Sequence, residues 1–111
     1  MTNHEAALTA LADPMRRAIF ERLARSPVAV GELAREFPIT RPAVSQHLKV
    51  LKTAGLVTDR AAGTRRVYAV EPAGLAAVRQ YFENFWLQSL AAFQTAANQT
   101  NAANQSAKEE T

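Results

Sequence analysis

Five prolines constrain this chain most, because each removes a backbone N–H and fixes φ near −65°, so none sits well inside a helix or a central strand. They fall at positions 14, 27, 38, 42 and 72, so the first 72 residues can hold only short elements. Asp13-Pro14 pairs a favoured N-cap with a residue suited to the first helical position, which predicts a helix over 14–25 burying Met15, Ile19, Phe20 and Leu23. Ser26-Pro27 ends it. Upstream, Leu8 and Leu11 in an alanine-rich stretch predict a short first helix over 5–12 with one apolar edge. Val30, Leu33, Ala34 and Phe37 recur at helical spacing and mark a third helix over 30–36, stopped by Pro38. Thr40 caps a fourth over 41–53, with Pro42 in its first turn.

The fourth helix is two-sided. Val44, Leu48 and Leu51 form a core stripe, and at 100° per residue the opposite side carries Pro42, Gln46, Lys49 and Thr53, flanked by Ser45 and Lys52. Gly55 is placed to end it. Residues 57–60 and 65–70 then read as two short strands joined by 61–64, where Gly63 supplies a positive φ. Glu71-Pro72 breaks the second strand, and a long helix over 72–93 follows, bearing Leu75, Val78, Phe82, Phe85, Trp86, Leu90 and Phe93. Those residues cover more than the ~100° arc that one core-facing helix needs. Part of that surface is expected to meet another subunit. Residues 94–111 contain no Val, Ile, Leu, Met or aromatic and repeat Ala-Ala-Asn-Gln, so they read as a frayed or disordered tail behind a single domain over 1–93. The alanines could carry the last helix on for a turn or more.

At 111 residues, 48% of them apolar, such a domain can build its core without staples. It has no cysteine, which excludes a disulfide framework, a thiolate metal site and a thiol nucleophile. No basic segment followed by an apolar stretch opens the sequence, and no window approaches the ~18 apolar residues a membrane span needs. The expectation is a cytoplasmic protein without membrane insertion.

The net charge of +3 conceals its distribution. Acids and bases cancel over residues 1–36. Over 37–70, Arg41, Lys49, Lys52, Arg60, Arg65 and Arg66 face only Asp59, a balance of +5, whereas 71–111 carry −2. A local basic block in a folded domain is the footprint of a nucleic-acid binder, although a solvated face looks the same on charge alone.

The order three helices, tight turn, helix, basic hairpin, helix is a mainly α fold with a small β-hairpin: a winged helix-turn-helix of five helices and a two-stranded wing. Such a fold presents the exposed face of its fourth helix to the major groove of double-stranded DNA. Gln46 and Arg41 are the candidate base readers, by paired hydrogen bonds to adenine and guanine, while Thr40, Ser45 and Lys49, beside Pro42, suit phosphate oxygens. His47 borders the core stripe and reads as a partly buried histidine or a phosphate neighbour. Arg60, Arg65 and Arg66 rim the wing and could reach phosphates or an adjacent minor groove. Arg65 and Arg66 could also simply keep a hairpin edge soluble. Catalysis is disfavoured: no Ser/His/Asp order, carboxylate pair or glycine-rich phosphate loop stands at usable spacing, and His4 and His47 lie far apart without a ligand cluster.

The runs Leu11-Ala-Asp-Pro-Met-Arg-Arg-Ala-Ile-Phe20, Val30-Gly-Glu-Leu-Ala-Arg-Glu-Phe37, Ser45-Gln-His-Leu-Lys-Val-Leu51 with Ala54-Gly-Leu-Val57, and Gly63-Thr-Arg-Arg-Val-Tyr68 resemble an ArsR-type bacterial transcriptional repressor over residues 5–93. The resemblance implies a homodimer paired through its first and last helices, so Leu8, Leu11, Phe82, Phe85, Trp86, Leu90 and Phe93 become candidate interface residues. It also implies binding to a pseudo-palindromic operator. Metal-sensing members carry a cysteine pair in the third helix; here Glu32, Leu33 and Ala34 stand there. The second family site uses Asp and His on the last helix, and 72–93 contain neither. The chain therefore resembles the metal-independent branch, with no metal or cofactor expected and an unknown effector. A winged-helix module that docks a protein and has lost operator binding remains the alternative.

Overall fold

In a computed structural model describing residues 3–109, and the side chains of 4–104, the caps act where the sequence places them. Helix α1 spans Asn3–Ala12 and α2 spans Pro14–Arg25. Asp13 holds extended backbone angles and its carboxylate accepts from the Arg16 N–H at 2.9 Å. That bond is the main reason its carboxyl lies below its ordinary pKa. Helix α3 spans Val30–Arg35 and ends one residue before the expected Glu36, which serves as C-cap with its N–H donating to the Leu33 carbonyl. Helix α4 spans Arg41–Thr53, capped by the Thr40 hydroxyl, which accepts from the Ala43 N–H at 3.2 Å.

Gly55 closes α4. With φ at +79° it donates to the Lys52 carbonyl at 2.9 Å, and Leu56 donates to the Leu51 carbonyl at 3.0 Å. This is the paired bonding of a Schellman motif, with Leu51 and Leu56 both fully buried where the chain reverses.

The wing is larger than expected. Strands β2 (Val57–Ala62) and β3 (Arg65–Val70) pair antiparallel, with Ala62 opposite Arg65, so the loop is only Gly63-Thr64. Gly63 alone takes a positive φ, +65°, the pattern of a II′ turn. A third strand, β1 (Val28–Ala29), pairs with the other edge of β3, giving the order β1-β3-β2 in place of the expected two-stranded hairpin. Two residues are too few to show an alternating pattern, but both are buried, and their pairing ties α3 to the wing.

Ile19, Leu23, Leu33, Val44, Leu48, Leu51 and Leu56 form the centre of the core. The buried edge of α1 consists of Ala7 and Ala10, which lets the helix approach closely; Leu8 and Leu11, expected on that edge, are only half-buried against the cluster.

Helix α5 spans Pro72–Glu109. The chain divides within it into a unit through Arg79 and a unit from Gln80 onward. In the first, the Glu71 side chain accepts from the Ala73 N–H, Val78 joins the core, and Gly74 meets the α4–β2 turn so closely that a Cβ there would lie 1.8 Å from the Gly55 carbonyl oxygen. In the second, Tyr81 packs on Phe82 edge-on and stacks with Phe85. The helix continues past Phe93 to Glu109, over residues expected as a tail, and positions 110–111 of that tail lie outside the described residues. Residues 94–109 contain neither Pro nor Gly, alanine is the best helix former, and Thr95 and Thr100 bond back to the Ala91 and Ala96 carbonyls at 3.0 Å each.

Candidate nucleic-acid interface

Thr40, Arg41, Pro42, Ser45, Gln46 and Lys49 are all exposed, while Val44, Leu48 and Leu51 are fully buried, so α4 displays a polar, basic face above a stripe that anchors it. His47 is half-buried between the two faces. The Thr40 oxygen accepts the capping bond, yet its own proton remains free to donate to a phosphate oxygen.

These residues fall into two groups. Gln46 and Lys49 edge a groove of about 290 Å³ between α1 and α4, shared with Thr9 and Arg16. Arg41 points elsewhere: its guanidinium passes beside Gly31 and lines a cleft with α3 and the wing tip, together with Arg65 and Arg66. Arg60 is exposed on β2, opposite Val67.

Ion pairs fix the wing on both sides. Arg65 pairs with Glu32 of α3. Arg66 pairs with Asp59 at 3.2 Å, and the same carboxylate takes Lys52 of α4 at 2.7 Å. The Asp59 side chain is only 9% exposed, and the Lys52 hydrogen bond, reinforced by Arg66, holds its carboxyl below the ordinary value of 3.8. One acid thus joins α4 to the wing. Charge counting along the chain misses this role for Asp59, and it misses Glu32 and Arg35 altogether, since they lie in the segment that balances to zero. Glu32 is 33 residues from Arg65, a separation no local pattern can bridge.

This geometry has known counterparts. Residues 11–60 match the family model of a helix-turn-helix domain. The chain is 64% identical over 87 residues to the HTH-type transcriptional regulator Rv2034 of Mycobacterium tuberculosis, covering 78% of this chain and 81% of that protein. Among solved structures it is similar to an ArsR family transcriptional regulator at 32% identity, with a TM-score of 0.71 over 80% of this chain and 96% of the other. The chain belongs to the ArsR family of helix-turn-helix transcriptional regulators. It is therefore a DNA-binding regulator of transcription, and its similarity extends to the transcriptional repressor SdpR of Bacillus subtilis, at 34% identity over 55% of this chain and 68% of that protein.

In this ArsR-family regulator the α3 positions compared with the family's cysteine pair have structural occupants. Leu33 is fully buried in the core and Glu32 holds Arg65. Among the described residues no helix is long and apolar enough to cross a membrane.

Proposed function

We propose that this regulator is a homodimeric repressor that sets the exposed face of α4 into the major groove of a pseudo-palindromic operator. The observation that supports it best is the two-sided α4: a fully buried apolar stripe opposite a polar and basic face, started by a cap that leaves Arg41 at the first helical position. Gln46 reads a base edge, for which its paired donor and acceptor suit adenine. Ser45, Lys49 and the Thr40 hydroxyl hold backbone phosphates and set the register, with Pro42 and His47 beside them. Arg41 lies nearer the wing than Gln46, so it serves the flank of the site, where Arg60, Arg65 and Arg66 meet phosphates or the adjoining minor groove.

The second copy joins through α5. Phe82, Phe85, Trp86, Leu90 and Phe93 are all exposed, Trp86 by 64% and Phe93 by 71%, and an apolar row of that size is costly to leave in water. On α1, half-buried Leu8 and Leu11 are the further interface residues that the family resemblance implies. A two-fold axis then places two reading helices on half-sites about one DNA turn, ~34–36 Å, apart. In this reading residues 1–93 carry DNA binding and dimerisation, 94–111 lie outside both roles, and the protein acts in the cytoplasm as a binding protein without enzymatic chemistry.

Selection of bound genomic fragments followed by footprinting tests the reading. The expected result is a two-fold symmetric protected site whose base preference relaxes in Gln46→Ala by about 1–3 kcal/mol at one position per half-site. An unchanged preference in that variant would remove Gln46 as a reader. Absence of any protected site would leave a protein-docking module as the better account.

A further inference from the structure

The cleft between α3, the start of α4 and the wing tip gathers more positive charge than its own carboxylate can neutralise. Arg35, Arg41, Arg65 and Arg66 line it from three elements, and Glu32 is its one acid. Arg65 is paired with Glu32, and Arg66 shares Asp59 with Lys52. Among the described residues, Arg35 and Arg41 are in no ion pair. Several guanidinium groups around one hollow repel each other, and an anion placed among them relieves that repulsion while accepting charge-assisted hydrogen bonds.

The hollow measures about 330 Å³, at the lower end of the ~300–1,000 Å³ range of small-molecule sites. Val30 is its one sizeable aliphatic side chain and no aromatic lines it, so the directional contacts it offers come from its charged and hydroxyl groups. Arginine forks match the oxygens of phosphate, and the Thr64 hydroxyl adds a further donor.

We propose that this cleft binds a free oxyanion of the phosphate class, which takes Arg65 from Glu32 and competes with the DNA backbone for the same arginines. The competition rests on the DNA-binding reading above; the anion site does not. Glu32 is the cleft's internal substitute for the anion, and the surface formed by α4 and the wing becomes sensitive to phosphate species beyond their effect on ionic strength.

Inorganic pyrophosphate is the probe, titrated calorimetrically into the full-length protein without divalent metal and with ionic strength held constant by NaCl. Saturable binding is expected, weakened about tenfold in Arg35→Ala and strengthened in Glu32→Gln. Both residues are exposed, and circular dichroism checks that the variants fold. A parallel titration of duplex DNA is expected to show weaker binding in pyrophosphate than in NaCl of equal ionic strength, an excess that Arg35→Ala removes. Heats no different from NaCl, or binding unchanged in both Arg35→Ala and Arg41→Ala, would overturn the proposal, the latter by assigning the anion to the general basic surface. If duplex binds normally while pyrophosphate gives no heat, this inference alone fails. If no duplex binds at all, the operator reading fails and the calorimetry still decides the cleft.

Discussion

Replacing Asp59 by Asn removes one charge from the joint between α4 and the wing while keeping nearly the same shape, so no cavity enters the comparison. The carboxylate accepts from Lys52 at 2.7 Å and from Arg66 at 3.2 Å. Hydrogen bonds to charged groups contribute about 1.5–3 kcal/mol when shielded, against ~0–1 kcal/mol for exposed pairs. Asp59 is almost buried, but both cations are more than half exposed, so solvent screening brings the expected loss down to about 1–2 kcal/mol. Its sign with pH follows from the lowered carboxyl. The stabilisation is complete above the unfolded value of 3.8 and is lost as pH falls through the lower folded value. Urea unfolding of wild type and Asp59→Asn at one fixed protein concentration measures it. The gap should hold from neutral pH down to mildly acid solution and close below the ordinary carboxylate range. Equal stabilities at neutral pH, or a gap that persists unchanged into strong acid, would refute this assignment.

Gly74→Ala forces a Cβ against the Gly55 carbonyl, whose backbone is held by the Schellman bonds, so it should cost at least the ~3 kcal/mol upper end of ordinary overpacking. A thermal melt checks it, and an unchanged midpoint would show that α5 can shift away from the turn freely. Trp86→Ser should weaken self-association by about 2–4 kcal/mol, from the ~150–250 Å² that an aromatic ring buries, without lowering helix content. Light scattering across micromolar concentrations reads this, and a wild type already monomeric there would remove the α5 interface.

Most of the fold was legible because local rules and tertiary packing agree over residues 13–57. Asp13-Pro14 and Thr40 start helices with their own side chains, and Gly55 ends one by a positive φ that its neighbours cannot adopt easily. Legibility fails where a residue's role is set by a distant partner. Strand β1 exists because β3 offers it an edge, not because Val28 and Ala29 form a pattern. The buried residues of α1 are alanines, since close approach selected small side chains over the adjacent leucines. In the site, periodicity separated the two faces of α4, but linear charge counting could not show that Asp59 pairs with both Lys52 and Arg66 and so joins α4 to the wing. Nor could it show that Arg35 joins the block from a segment of zero net charge. The last helix ran on because alanine-rich sequence satisfies its own backbone bonds without a core.

The central claim, that the basic block is a surface for backbone phosphates, is tested most directly by the salt dependence of duplex binding. Fluorescence anisotropy across a series of NaCl concentrations should give a log affinity falling linearly with log salt, at a slope of about −0.9 for each phosphate neutralised. Lys49→Ala and Arg60→Ala should each make it shallower by about that amount per protomer, since neither residue is in an ion pair among the described residues. A slope near zero, or one that neither substitution changes, would contradict the account.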